Sequence, residues 1–209
     1  MANAHSHADW ANKYRPTKLE DTILPAGVKD SLIRMRDGGG GFGLLLHGPV
    51  GCGKTTIGLL MGANPPVRVD CTTESTKSHI EKVVRDAKSF SLFDEIRVVL
   101  MDEADHLAKA AQFVLSAAVE DLLQHNAFVL TTNDPRQIIP QLHSRLKPVD
   151  LATMDGDNAL REQMIARAMQ ILEQEEIRST RTAVASIVRT HFPDMRRTLK
   201  ELQFQLARE

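Results

Sequence analysis

A glycine-rich segment followed by a lysine and a threonine has the composition of a loop that binds phosphate groups. Residues 48–55 read GPVGCGKT, which fits the pattern G-x-x-x-x-G-K-[ST] at every fixed position. Glycines let backbone N–H groups point at an anion, and the N-terminus of the following helix adds positive partial charge. Lys54 can reach the β- and γ-phosphates, and the Thr55 hydroxyl can bind Mg²⁺. The segment therefore predicts a nucleoside triphosphate site.

Acidic and polar side chains follow two apolar runs farther along the chain. One run ends in Asp102 and Glu103, and the other ends shortly before Asn133. Ligands of open α/β sheets bind at the carboxyl ends of strands, so these side chains are predicted beside the phosphate loop. Asp102 would hold Mg²⁺ through water, Glu103 would polarise the attacking water, and Asn133 would align it. Asp105 is interpreted as a support or cap for the following helix.

Short apolar runs alternate with segments of helical periodicity, which predicts the elements that position these residues. The predicted strands are 42–47, 67–69, 96–101 and 127–131, and the predicted helices between and before them are 29–36, 55–62, 76–90 and 108–123. This alternation indicates a parallel sheet with helices on both faces. Beyond Pro148 only helices are predicted, over 158–176, 180–190 and 194–207. We therefore expect an α/β domain over residues 1–151, a small three-helix domain over 152–209, and a flexible connector at the glycine run 38–41.

Composition excludes several classes of protein. The 209 residues carry 26 Lys+Arg against 27 Asp+Glu, so a globally basic nucleic-acid binder is excluded, although a local basic patch is not. Two cysteines provide no disulfide framework and indicate a reducing compartment. The N-terminus lacks the apolar core of a signal peptide, and no run reaches the roughly 18 apolar residues of a membrane span. We therefore expect a cytoplasmic protein with no membrane contact.

Three further segments resemble the clamp-loader branch of the AAA+ ATPases, of the replication factor C small-subunit type. Residues 13–16 read KYRP and residues 23–25 read ILP, which is similar to the N-terminal segment of loader subunits, especially those of bacteriophages. The pair Ser144-Arg145 resembles a Ser-Arg-Cys motif, with Leu146 in place of the cysteine. Residues 192–202, FPDMRRTLKEL, resemble the lid-helix motif of the same group.

The resemblance implies an AAA+ fold, a parallel sheet sandwiched by helices and followed by a three-helix lid, with ATP and Mg²⁺ as cofactors. Lys54, Thr55, Asp102 and Glu103 resemble Walker A and B residues, with Thr55 and Asp102 at the metal, and Asn133 resembles sensor 1. The nucleotide-binding positions that it implies are Tyr14, Arg15, Pro16, Gly48, Pro49, Val50, Gly51, Cys52, Gly53, Lys54, Thr55, Thr56 and Arg196.

Two arginines receive roles from the resemblance. Arg196 resembles sensor 2, the lid arginine that meets the γ-phosphate of its own subunit, and Arg145 resembles the arginine finger that enters the neighbouring subunit's site. From the residues alone, Arg196 follows the apolar Met195 and so points about 100° away from the apolar stripe. Without the resemblance, either arginine would more often be a partner in a surface salt bridge.

The function that the resemblance implies is an ATPase subunit of a sliding-clamp loader in DNA replication, in the host cytoplasm if the protein is phage-encoded. Its partners would be other loader subunits, the sliding clamp and primer–template DNA. The predicted DNA contacts are Lys77, Ser78, Lys82, Arg85 and Lys109, for which a solvated helix face is the alternative. Clamp contact would involve Leu60, Met61, Leu92 and Phe93, for which core burial is the alternative.

Two departures from the family pattern bear on this function. Family subunits continue into a C-terminal helical collar, which we expect this chain to lack. They also tend to carry a basic residue four positions after a glutamine, where Gln112 is here followed by Ser116, and that residue couples DNA contact to the ATP site. Two alternatives are therefore kept: another DNA-linked AAA+ machine, such as a helicase loader or remodeller, and a non-hydrolysing, nucleotide-bound scaffold.

Overall fold

A five-stranded sheet, in which every pair of neighbouring strands is parallel, forms the centre of the protein. The computed structural model describes residues 9–90 and 96–206 and gives the strand order β2-β3-β4-β1-β5. The strands are β1 (Gly43–His47), β2 (Val67–Asp70), β3 (Arg97–Asp102), β4 (Asn126–Thr132) and β5 (Lys147–Asp150). The predicted α/β class, with a parallel sheet and a helical C-terminal part, is confirmed.

Nine α-helices are found within the described ranges, and seven of them were predicted to within a few residues. They are α1 (Trp10–Lys13), α2 (Ala26–Asp37), α3 (Lys54–Leu59), α4 (Lys77–Phe90), α5 (Lys109–Leu122), α6 (Pro140–His143), α7 (Asn158–Gln174), α8 (Arg181–His191) and α9 (Met195–Leu206). The two that were not predicted, α1 and α6, have four residues each and are too short to show a helical period.

Successive residues of the central strands face two separate apolar layers. Leu44 and Leu46 of β1 lie in the layer that includes Ile57 of α3, and Leu45 lies in the layer that includes Leu115 of α5. Side chains of a strand alternate between the faces of its sheet, so a strand buried on both faces must be apolar throughout. The two layers explain why the central strands read as uninterrupted apolar runs.

The edge strand β5 was not predicted as a strand. Its four residues read KPVD, and among them only Val149 is partly buried. Pro148 lies opposite Leu45 of β1 in the outermost position of the sheet. A proline, which lacks a donor N–H, is tolerated at a sheet edge, so this segment can pair on one side without the apolar signature of the inner strands.

The last three helices pack together and share an apolar layer with the sheet. Asp157 caps α7 by accepting from the N–H groups of its first turn, and Thr180 caps α8 in the same way. The apolar layer that includes Leu44 runs through Leu151 and Met154 into these helices. The boundary between residues 151 and 152 stays a prediction, because the layer is continuous across it.

The glycine run 38–41 is more than a connector, because its last member is packed against backbone. A Cβ atom on Gly41 would lie 2.0 Å from the carbonyl oxygen of Leu123 and 2.4 Å from that of Asn126. At Gly40 a Cβ atom would meet no heavy atom within 4 Å. The start of β1 therefore approaches the α5–β4 connection at a distance that only glycine allows.

We predict that Gly41→Ala lowers the free energy of unfolding by about 1–3 kcal/mol, because the methyl group would displace carbonyl groups that belong to rigid backbone. Chemical denaturation followed by circular dichroism measures this change. The matched control is Gly40→Ala in the same run, which should unfold close to the wild type. Equal effects of the two substitutions would contradict the packing described for Gly41.

Candidate nucleotide-binding site

The predicted phosphate loop connects β1 to α3 and touches the C-terminal helices. Gly51 and Gly53 have φ values of 76° and 98°, in the left-handed region that favours glycine. The carbonyl oxygen of Gly51 accepts a hydrogen bond of 3.1 Å from the N–H of Met195, at the start of α9. A Cβ atom on Gly51 would lie 1.8 Å from Oδ1 of Asp194. The left-handed conformation of the loop therefore favours glycine at residue 51, and a larger residue there would also have to displace the Asp194 side chain.

Lys54 is buried and joins the phosphate loop to the end of β4. Its exposed fraction is 8%. Its Nζ donates hydrogen bonds of 2.8 Å each to the carbonyl oxygens of Gly48 and Pro49 and to Oδ1 of Asn133. Burial lowers the pKa of Lys54, and nearby negative groups such as Asp105 oppose this shift. An ammonium group is thus held where the triphosphate is expected.

Asp102, at the end of β3, is the centre of a hydrogen-bond network. Its Oδ1 accepts from the hydroxyl of Thr55 at 2.8 Å and from the hydroxyl of Thr131 at 2.7 Å. Its Oδ2 accepts from Nη2 of Arg68 at 2.7 Å. A carboxylate and a hydroxyl side by side are oxygen ligands of the kind that Mg²⁺ prefers, so the residues present fit that ion.

The two other predicted catalytic side chains lie at neighbouring strand ends. Glu103 follows β3 in a left-handed conformation, with φ 58° and ψ 49°, and its N–H donates to the Thr131 hydroxyl at 2.9 Å. The N–H of Asn133 donates to Oδ2 of Asp105 at 3.3 Å. The interpretation of Asp105 as a cap of the following helix was wrong, because the N-cap of α5 is Ala108 and Asp105 instead supports the segment after β4.

One cleft contains most of the residues that were predicted to bind nucleotide or to take part in catalysis. Those that line it are Tyr14, Arg15, Pro16, Val50, Gly51, Cys52, Gly53, Lys54, Thr55, Thr56, Asp102, Glu103, Asn133 and Arg196. Gly48 and Pro49 do not line the cleft, and their carbonyl groups hold Lys54 instead. The N-terminal segment, three strand ends and the last helix therefore meet at one place.

The cleft also includes residues that the sequence analysis did not select. Leu24, Met164 and Ile171 line it and offer apolar surface to a flat ring. Arg167 lies between the last two on α7 and is partly buried, and its side chain makes no hydrogen bond or ion pair with any residue that the structure describes. The spacing 164, 167, 171 places these three side chains on one helix face, which is the sequence signal that indicates them.

Tyr14 links the N-terminal segment to the lid helices. Its hydroxyl donates to Oε1 of Glu175 at 2.5 Å, and Nζ of Lys13 reaches the same oxygen at 2.6 Å. Burial raises the pKa of Tyr14, so the phenol stays protonated and remains a donor at neutral pH. The predicted adenine-side residue is therefore attached to the segment that follows α7.

Cys52 is 1% exposed, and burial raises the pKa of its thiol. Reactive cysteines need a stabilised thiolate and access to solvent. This environment supports the interpretation of Cys52 as a small residue that fills the phosphate loop and not as a redox sensor.

The two predicted catalytic arginines occupy different places. Arg196, the second residue of α9, is exposed and lines the cleft. Arg145 follows α6 outside the cleft and donates to Oε2 of Glu120 at 2.7 Å and to the carbonyl oxygen of Gln141 at 2.7 Å. Arg145 thus does not line the nucleotide cleft of its own chain.

The predicted DNA contacts lie outside the cleft on exposed positions. Lys77, Ser78, Lys82 and Arg85 belong to α4, and Lys109 begins α5. Nζ of Lys77 lies 3.6 Å from Glu81, and Nζ of Lys109 donates to the carbonyl oxygen of Gln137. The side chains of Lys82 and Arg85 make no ion pair or hydrogen bond within the described part of the chain.

The predicted clamp contacts have mixed outcomes. Met61 is 1% exposed and belongs to the core, and Leu60 is partly buried against the same core. Leu92 and Phe93 lie outside the described residues.

Among the helices that the structure describes, none combines the length and apolar character needed to cross a membrane.

Comparisons with known proteins agree with this geometry. Residues 44–151 match the model of the ATPase family associated with various cellular activities (AAA). Residues 157–208 match the model described as the AAA+ ATPase lid domain of the sliding-clamp-loader large subunit.

Individual relatives point the same way. Replication factor C subunit 5 of Arabidopsis thaliana is 30% identical over 206 residues, which cover 93% of this chain and 54% of that protein. The sliding-clamp-loader large subunit of Escherichia phage RB69 is 28% identical over 201 residues, covering 91% of this chain and 62% of that protein. The chain therefore spans little more than half the length of the first of these relatives.

A solved structure shows the same fold. The RuvB Holliday junction branch migration motor of Thermotoga maritima has a TM-score of 0.73 at 18% identity, covering 90% of this chain and 64% of that one. At this identity the likeness concerns the fold alone. Together with the family matches, it confirms the predicted AAA+ architecture: the chain belongs to the AAA family of ATPases, and its C-terminal helices form a lid of the clamp-loader type.

Proposed function

We propose that the chain binds and hydrolyses ATP as a subunit of a DNA sliding-clamp loader, together with other subunits, a sliding clamp and primer–template DNA. One observation carries the proposal: Lys54, Asp102, Asn133 and Arg196 surround one cleft, whereas Arg145 lies outside it. The cleft therefore contains most of the groups that phosphoryl transfer needs, and a further cation, Arg145, lies outside it.

The side chains of the cleft have separate roles in the proposed reaction. Among the described residues, Lys54 donates hydrogen bonds only to neutral oxygens, so phosphate oxygens would give it stronger hydrogen bonds, between opposite charges. Mg²⁺, when held with the nucleotide by Thr55 and Asp102, supplies positive charge that neutralises the phosphates. Glu103 polarises the attacking water, Asn133 aligns it, and Arg196 contacts the γ-phosphate from the lid.

The position of Arg145 favours a reaction that is completed between subunits. Its guanidinium is held by Glu120 and Gln141 at the end of α6, which fixes its direction without burying it. An arginine that enters an active site from a neighbouring molecule stabilises the charge of the transition state. ATP would then be bound by one subunit and hydrolysed with a group from the next.

We predict that Arg145→Ala retains ATP binding but loses about 10³-fold or more in turnover, because the charge supplied across the interface is absent. Mixing this variant with Lys54→Ala subunits should restore partial activity, since the latter still present Arg145 to intact sites. Phosphate release measures turnover, and a fluorescent ATP analogue measures binding. Arg178→Ala, an exposed arginine outside the cleft, is the control, and wild-type turnover of Arg145→Ala would contradict the intersubunit site.

DNA binding is proposed at the exposed basic face of α4. Lys82 and Arg85 are three residues apart, so they lie on the same side of the helix, and neither side chain is bonded to another residue that the structure describes. Contacts of this kind give affinity that depends on salt and not on sequence.

We predict that Lys82→Ala/Arg85→Ala weakens binding to primer–template DNA and reduces the slope of log affinity against log salt by about 2, because two phosphate contacts are lost. Fluorescence anisotropy over a salt series, with a non-hydrolysable ATP analogue present, measures the slope. Lys29→Ala/Arg34→Ala on α2, which packs on the opposite face of the sheet, is the matched control. An unchanged slope in the α4 variant would place the DNA elsewhere.

Stimulation of turnover separates the proposed function from its two alternatives. A clamp loader responds to its clamp together with primed DNA, whereas a helicase loader or remodeller responds to a helicase or a protein substrate. A scaffold would release phosphate no faster than Lys54→Ala under any of these conditions.

A further inference from the structure

The buried carboxylate of Asp102 is shared between two kinds of partner. The exposed fraction of Asp102 is 5%, and both of its carboxylate oxygens accept hydrogen bonds. Oδ1 accepts from the hydroxyls of Thr55 and Thr131, whereas Oδ2, as far as the described residues go, accepts only from Nη2 of Arg68, at 2.7 Å. The oxygen that the two threonines leave available is therefore occupied by a guanidinium.

This arrangement matters because Asp102 and Thr55 are the groups that fit Mg²⁺ in the proposed function, on which this inference rests. A cation already bound to Oδ2 compensates the charge of Asp102 and keeps the buried carboxylate from being unpaired. The same cation repels a divalent ion and occupies an acceptor that the ion or its water ligands need. Arg68 and Mg²⁺ thus compete for one oxygen.

The surroundings of Arg68 allow it to leave. It comes from β2, the strand at the edge of the sheet, and its side chain is 50% exposed. It does not line the nucleotide cleft. The exposed Asp70 lies two residues farther along β2, on the same face of the sheet, and offers a second carboxylate to a displaced guanidinium. Movement of Arg68 therefore disturbs neither the core nor the phosphate loop.

We propose that Arg68 is a displaceable counter-ion of Asp102, which holds the carboxylate in the metal-free protein and sets the Mg²⁺ concentration at which nucleotide binds tightly. Arg68 is a positioning residue in this role, since it acts through Asp102 and touches no nucleotide. The proposal concerns metal-dependent binding and is independent of hydrolysis, DNA and the neighbouring subunit.

The test is a magnesium titration of the full chain with a fluorescent ADP analogue, which removes hydrolysis from the measurement. For Arg68→Gln, the Mg²⁺ concentration that gives half of the affinity gain should fall about threefold to tenfold, the range of a partly exposed charge-assisted hydrogen bond. The affinity in EDTA should change less than twofold. Arg68→Lys keeps the charge, so its Mg²⁺ requirement should lie between those of the wild type and Arg68→Gln. Arg181→Gln removes another exposed arginine from a surface ion pair, with Glu162, and should follow the wild type.

A double-variant cycle makes the test specific to Asp102. In an Asp102→Asn background, Arg68→Gln should no longer shift the Mg²⁺ requirement, because the carboxylate for which the two cations compete is gone. An unchanged or raised requirement in Arg68→Gln would overturn the proposal, and a raised one would show that Arg68 prepares Asp102 for the metal. Thermal unfolding identifies a variant that fails to fold, in which case Arg68→Lys decides. A wild-type chain that binds no nucleotide at all would refute the proposed function instead.

Discussion

Lys54 is buried and makes no hydrogen bond to a carboxylate of any described residue, and this is the constraint on which the rest of the site depends. Its ammonium group contacts two carbonyl oxygens and one amide oxygen, all of them neutral. A buried charge is costly unless an opposite charge compensates it, and neutral oxygens compensate it only in part. The fold therefore holds a positive charge that an anion would compensate, beside the carboxylate of Asp102, which suits a divalent cation.

The residues predicted from sequence are those whose signals are local. The phosphate loop, the carboxylates after β3 and Asn133 after β4 each follow an apolar run, and parallel pairing brings such strand ends to one edge. The central strands were predictable for the same reason, since burial on both faces leaves an uninterrupted apolar segment. Local sequence thus predicted the parallel sheet and the edge at which the candidate site lies, whereas the strand order and β5 required the structure.

The features that escaped prediction depend on contacts between distant parts of the chain. Arg68 contacts Asp102 only because β2 pairs with β3, and no sequence pattern within either strand predicts that pairing. The backbone N–H of Trp10 donates to Oε1 of Gln203, 193 residues away, and only the folded chain brings them together. Edge strand β5 escaped for a different reason, because a partly exposed segment with a proline lacks the apolar signature. Glu103 likewise adopts a left-handed conformation that its residue type does not favour.

Contact between the phosphate loop and α9 gives the protein a mechanical linkage. The N–H of Met195 donates to the carbonyl oxygen of Gly51, and the side chain of Asp194 lies close to the same glycine. Trp10 and Tyr14 bind the N-terminal segment to the same set of helices. The N-terminal segment and the last three helices would therefore move together. A displacement of these helices relative to the sheet would therefore stretch the hydrogen bond at Gly51 and carry the N-terminal segment along with them.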